Sequence, residues 1–303
     1  MDRAGNRVRR LGRRLALSRV LQTGHMHPRV EPVSWSLPGH AGELACLTWP
    51  NPDARCLAVV LHGYGEHLGR YHRVADALVA AGAVVVGQDM AGHGRSAGER
   101  ALTPDFETVV DDVATMAAQV GDGYAGLPVV LVGHAVGAMI AVRYAQRFPD
   151  RVAALVLSAP VLGNWQTLDL LSDEEIPDVP LDPALLSTDP AAGADYLTDP
   201  LVWHGPFRRT TLAAIEECLS TIDFDHPLGD ELPALWLHGV DDELAPMADT
   251  RAGMDRVRGL LFEERIYPGV RHDLFHETTT DQVLADVTEF VTRVVQDAGS
   301  SVS

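Results

Sequence analysis

The sequence predicts an α/β fold, an eight-stranded, mostly parallel sheet with helices on both faces, and three observations predict it. From residue 57 onward, short and nearly continuous apolar runs alternate with longer stretches of helical periodicity. That is the pattern of strands covered on both faces by the helices that connect them. The alternation pauses between about Val161 and Leu232, a stretch too long for an ordinary loop, so an inserted cap is expected there. Finally, 303 residues with 46% hydrophobic content can bury a core without disulfide or metal staples.

Two N-terminal runs, Ser34–Leu37 and Glu43–Trp49, flank the turn-prone Pro38-Gly39 and are expected to form an antiparallel edge. The remaining strands are expected at Leu57–Leu61, Val84–Gln88, Val129–Val132, Ala154–Leu157, Leu235–Leu237 and Leu261–Tyr267. Apolar residues recur at helical spacing over Tyr71–Ala81, Phe106–Val120, Val136–Phe148 and Asp281–Val295. The domain plan is a basic extension over residues 1–29, a core of 30–160 and 231–303, and a cap of 161–230 inserted after the sixth strand. Within the cap, Thr210–Thr221 reads as a helix. Its apolar residues, Trp165, Tyr196, Trp203 and Phe207 among them, either line a pocket or form the cap's own small core.

Charge is unevenly spread. Residues 1–29 hold eight arginines and one aspartate, a charge of +7; with −18 overall, the other 274 residues carry −25. A body that acidic repels phosphate backbones and argues against nucleic acid as a partner. The basic extension has no apolar stretch long enough for an export signal; it reads either as a disordered extension or as an arm in weak contact with an anionic membrane surface. No run of 18 apolar residues occurs, so no transmembrane helix is expected. Three cysteines, Cys46, Cys56 and Cys218, cannot all pair and show no metal-ligand spacing. They read as packing residues of a protein in a reducing compartment, and a cytoplasmic location is expected.

The chemistry-bearing segment is VVLVGHAVGAMIAVRYA from Val129: an apolar strand, then Gly133-His134-Ala135-Val136-Gly137, then a helix. This is the strand–turn–helix context of a nucleophile elbow, Gly-x-Ser-x-Gly, with alanine where serine belongs. His62-Gly63-Tyr64-Gly65-Glu66-His67 follows the third strand, a Gly-flanked loop able to offer the Tyr64 N–H beside that of Val136 to a developing oxyanion. Asp241-Asp242 follows the seventh strand and Arg271-His272-Asp273 the eighth. Nucleophile, acid and base in that order, each at the C-terminal end of a strand, is the order of α/β-hydrolases.

HGYGEHLGRY, QDMAGHGRSAGER, GHAVG, SAP, TDPLVWHG, HGVDDELAP and YPGVRHD, in this order between about Leu57 and His272, resemble the monoacylglycerol lipase branch of the α/β-hydrolase superfamily. The resemblance implies Asp242 as the acid, His272 as the base, Ala135 at the nucleophile position, and Tyr64 and Val136 as oxyanion donors through their backbone N–H groups. It places Glu66 and Arg70 at the polar, alcohol-binding end of the site. It implies a carboxylic ester hydrolase acting on a small-molecule substrate, an ester of one acyl chain with a small alcohol, without cofactor or metal. Alanine at 135 then reads as a serine-to-alanine replacement that leaves the chain nearly inactive. The alternatives are an esterase for other monoesters (lysophospholipid or aromatic acid esters) and a non-catalytic lipid or ester binder in which the alanine is natural. Haloalkane or epoxide hydrolysis needs a carboxylate at the elbow, which Ala135 does not offer.

Other residues carry plainer expectations. Asp241 reads as a turn residue, and His276 as a surface or packing residue. His93 reads as loop architecture, and His62, His134 and His238 as partners of local hydrogen bonds, with His134 near substrate. Ser96 and Ser158 lie near strand ends without an elbow pattern, and Arg208-Arg209 is expected to face solvent. No three histidines have metal-ligand spacing.

Overall fold

The computed structural model describes residues 29–225 and 227–300. The basic extension, and with it the expected membrane contact, lies outside them except for Arg29. Eight strands form one sheet: β1 (Val33–Gly39), β2 (Gly42–Trp49), β3 (Cys56–Leu61), β4 (Ala83–Gln88), β5 (Val129–His134), β6 (Ala154–Ser158), β7 (Ala234–Gly239) and β8 (Phe262–Tyr267). Their spatial order is β1-β2-β4-β3-β5-β6-β7-β8. β1 pairs antiparallel with β2, and β2 with β4; every other pairing is parallel.

Every residue of β3, β4, β6 and β7 is buried, and the two-residue period divides them between two cores. Leu57, Val59 and Leu61 of β3 face one core with Val84 and Val86 of β4 and Leu131 of β5. Ala58 and Val60 face the other with Val85, Val130 and Val132. The first core is covered by α2 (Phe106–Gly121), α3 (Val136–Arg147) and α5 (Arg209–Phe224); the second by α1 (His72–Ala80) and α7 (Thr280–Ser300). Burying a valine or leucine this completely contributes about 1.5–3 kcal/mol per side chain, which is why the strand runs contain almost no polar residue.

Two helices have no counterpart in the sequence expectations: α4 (Pro190–Thr198), between β6 and β7, and α6 (Met247–Val257), between β7 and β8. The helix expected from Tyr71 begins one residue later, after a 3-10 turn over Leu68–Tyr71. The connection from β6 to β7 also holds 3-10 turns at Gln166–Ser172 and Pro183–Leu185. Its apolar residues divide between a cavity and the main core under the sheet, rather than forming a small core of their own. Trp165, Tyr196, Trp203 and Phe207 line a cavity, Leu212 and Ile215 belong to the first core, and Leu197 is exposed. Among the described residues, no helix is long and apolar enough to cross a membrane, and the three cysteines are free and buried.

The strand order locates the crevice. From β3 the chain adds β4 on one side, then returns to add β5 on the other. Loops leaving the C-terminal ends of β3 and β5 therefore diverge and open a gap between them, the topological switch point at which open parallel sheets bind ligands.

Candidate active site

The loop after β3 and the turn after β5 flank this crevice. The turn after β5 is sharp: Ala135 has φ 50° and ψ −115°, outside the regions that residues with a Cβ favour. Such a conformation costs on the order of 1–3 kcal/mol and persists only where the surroundings impose it. They do so through hydrogen bonds: the Ala135 N–H donates to Ser158 O at 2.9 Å, and Ala135 O accepts from Ala138 and Val161. Close packing fixes it from the other side. A Cβ on Gly137 would lie 2.2 Å from Leu61 O, so only glycine lets α3 start directly against the end of β3. The N–H groups of Tyr64 and Val136 have no acceptor among the described residues, and both residues line the cavity.

The residues expected as acid and base, Asp242 and His272, lie in the loops after β7 and β8. His272 Nδ1 lies 2.9 Å from Asp242 Oδ2. The other carboxylate oxygen of Asp242 accepts from the N–H groups of Leu244 and Ala245, each at 2.9 Å. Burial opposes charge on both groups, but their mutual attraction and hydrogen bond prevail: the Asp242 carboxyl is held below its ordinary range and the His272 imidazole above its own. The turn fixes the carboxylate, and the carboxylate fixes the tautomer that carries a proton on Nδ1. His272 and Ala135 line the same cavity. Asp241 is exposed, with its N–H donated to Val270 O.

Glu66 and Arg70 also line the cavity, within a buried ionic ring. Glu66 Oε1 accepts from the Gly63 N–H at 2.7 Å and the Tyr71 hydroxyl at 2.6 Å, and Oε2 from Arg70 Nε at 3.1 Å. Arg70 Nη2 reaches Asp273 at 3.2 Å. His276 closes the ring, with Nδ1 2.9 Å from Asp273 and Nε2 2.9 Å from Arg70 O. Both imidazole nitrogens thus face acceptor oxygens, which requires the doubly protonated cation. Burial disfavours that cation, but the Asp273 carboxylate outweighs it and raises the His276 pKa. The sequence expectation for His276 is thereby changed: it bridges the loop after β3 to the loop after β8. An acidic residue directly after the base, with a histidine three positions on, is the signal that would have found it.

The remaining candidates have structural partners. His93 Nδ1 lies 3.0 Å from Ala91 O, and Ser96 Oγ donates to Asp89 O at 2.6 Å. His62 receives the Met90 N–H at 2.9 Å. Ser158 is fully buried 3.3 Å from His134 Nδ1. His134 lines the cavity, its ring 4.9 Å from that of His272; burial, then repulsion from His272, lowers its pKa and keeps it neutral. His238 contacts Ala245 O at 2.8 Å and Asp242 at 3.4 Å. Arg208 lies over the Trp203 ring and Arg209 donates to the carbonyls of Leu171 and Glu174. Among the described residues, no group of three His, Cys, Asp or Glu side chains is placed to hold a metal ion.

A sharp turn at the switch point, with a His–Asp pair in the loops after the last two strands, is the arrangement of an α/β-hydrolase. Residues 52–279 match the serine aminopeptidase S33 family, and the chain belongs to it, within the monoacylglycerol lipase branch. It is 34% identical over 255 residues to the monoacylglycerol lipase of Mycolicibacterium smegmatis, covering 80% of this chain and 90% of that one. It is 30% identical over 272 residues to the monoglyceride lipase of Homo sapiens, covering 85% and 89%. The fold is shared with a Saccharomyces cerevisiae monoglyceride lipase, solved with a substrate analog, at a TM-score of 0.76 and 20% identity, over 90% of this chain and 99% of the other.

Proposed function

We propose that this chain is a carboxylic ester hydrolase of the monoacylglycerol lipase type held inactive at one atom, the absent hydroxyl of residue 135. The observation that carries this reading is the 2.9 Å pairing of His272 with Asp242 beside an elbow that keeps its unfavourable backbone angles without the side chain that would use them. With serine at 135, its Oγ attacks the ester carbonyl while His272 Nε2 takes the proton. Asp242 stabilises the resulting imidazolium, and the N–H groups of Tyr64 and Val136 receive the oxyanion. His272 then returns the proton to the departing alcohol. Without a nucleophile the acid and base have nothing to activate, and what remains is binding.

The mixed lining of the cavity supports an ester of one acyl chain and a small alcohol. Glu66, Arg70 and Asp273 contact one another as a charged group in its lining, and Val161, Trp165, Phe207 and Leu244 supply apolar wall. Residues 161–230 act as the cap over this cavity, and the names of the relatives support a monoacylglycerol as substrate. Three free, buried cysteines support a cytoplasmic setting. A second reading, a lipid or ester binder that performs no chemistry, is favoured by Ala135 itself.

The test is Ala135→Ser, assayed on p-nitrophenyl esters and on monoacylglycerols of graded chain length. The hydrolase reading expects turnover to appear, with a gain on the order of 10⁶-fold over the parent, about what loss of the nucleophile from a nucleophile–base unit costs. A folded Ala135→Ser protein that binds these esters and leaves them intact establishes the binder.

A further inference from the structure

We infer that the side chain of Tyr64 is a positioning residue through which the cap holds the oxyanion loop, so that the oxyanion donor is in place only while the cap is docked; this rests on the hydrolase reading above. Three contacts converge on two residues of that loop. The Tyr64 ring stacks on Phe207, with centroids 4.7 Å apart and planes at 15°. Its hydroxyl accepts the Arg208 N–H at 3.3 Å. Next to it, Gly65 O accepts the Trp203 N–H at 2.7 Å. Phe207, Arg208 and Trp203 all belong to the connection between β6 and β7.

The cap side of this joint is braced in turn. Trp165 packs edge-on against Phe207 at 5.8 Å, and Arg208 Nε donates to Arg100 O at 3.1 Å. On the core side, Glu66 fixes the Gly63 N–H, one residue before Tyr64. Tyr64 therefore stands between an anchored loop and an anchored cap, and its backbone N–H cannot shift independently of Phe207. Phe207 and Trp165 also face the cavity, so an acyl group lying against them presses on the same joint. A displacement of one ångström at a catalytic group can cost about a hundredfold in rate, so cap position becomes a term in kcat rather than in affinity alone.

Two measurements decide this. The first uses the chain as it stands: amide hydrogen exchange in Phe207→Ala and in Tyr64→Ala. Coupling expects Phe207→Ala to speed exchange at the Gly63 amide and Tyr64→Ala to speed it at the Trp203 amide, each by about tenfold or more, with β5 unchanged. If each substitution affects only its own segment, the inference is overturned. The second uses Ala135→Ser with p-nitrophenyl acetate. Tyr64→Ala and Phe207→Ala should each lower kcat by about 10–100-fold with little change in KM, the double substitution should be no worse than the poorer single one, and Tyr64→Phe should keep most of kcat. Additive losses, or losses in KM alone, overturn it. An inactive Ala135→Ser protein defeats the hydrolase reading instead, and hydrogen exchange still decides the coupling.

Discussion

Asp242 gives one carboxylate oxygen to the backbone of its own turn and the other to His272, so the turn holds the carboxylate in the orientation that meets the imidazole. The lock predicts a large penalty for isosteric neutralisation. In the Ala135→Ser background, Asp242→Asn should leave KM and thermal stability nearly unchanged while kcat falls by about 10⁴-fold, because the amide presents the wrong hydrogen-bonding partner to Nδ1. Steady-state kinetics and a melting curve check it, and a loss below tenfold excludes Asp242 as the acid.

The same pairing sets a pH limit. His272 must be neutral to accept a proton, and its pKa is raised above the ordinary imidazole value of about 6.5. Activity of Ala135→Ser should therefore fall on the acid side with a midpoint above that value. A kcat/KM profile from pH 5 to 9 reads the limb directly; a midpoint well below 6 contradicts a carboxylate-supported base.

Stability should respond to pH in the opposite sense at His276. Its pKa is raised in the folded state, so the stability it contributes is complete below the unfolded pKa and is lost as pH rises through the folded one. The parent chain should therefore lose melting temperature above about pH 6.5, and His276→Gln should flatten that slope. Melting curves at graded pH measure it, and identical slopes refute the ionic ring as its source.

Gly137 leaves the elbow no tolerance. The Cβ of Gly137→Ala would meet Leu61 O at 2.2 Å and His62 O at 2.6 Å, both backbone atoms. Overpacking of this kind costs about 1–3 kcal/mol or more, to be read from denaturant unfolding.

Ala135→Gly should act in the other direction. Glycine relieves the positive φ of 50°, for a net gain of up to about 2 kcal/mol after the entropy of the unfolded chain is subtracted. A destabilised Ala135→Gly protein would show that the elbow is not strained.

The strands, and the loops that carry the candidate acid and base, were legible because each is local. A run such as Cys56–Leu61 declares burial on both faces, and the loops after β3, β5, β7 and β8 carry their chemistry within a few residues. The helix α6 was not legible, since Thr250 and Gly253 take two of the four positions on its buried face and leave only Met254 and Val257 as an apolar signal. Gly253 is there for close approach: its Cβ would lie 2.3 Å from Gly163 N, a requirement imposed by a segment ninety residues away. α4 did carry a start signal, Asp189 capping Ala191 with Pro190 in the first turn, masked by its shortness. The ionic ring was only half visible, because Glu66 and Arg70 sit in one motif while Asp273 and His276 lie about two hundred residues on.

That separation has a consequence for synthesis. While the last fifth of the chain is still on the ribosome, the residues of the elbow and of the loop after β3 are already present, but His272, and Asp273 whose carboxylate pairs with Arg70, are not yet in place. The nascent protein therefore cannot assemble the candidate site until β8 joins the edge of the sheet.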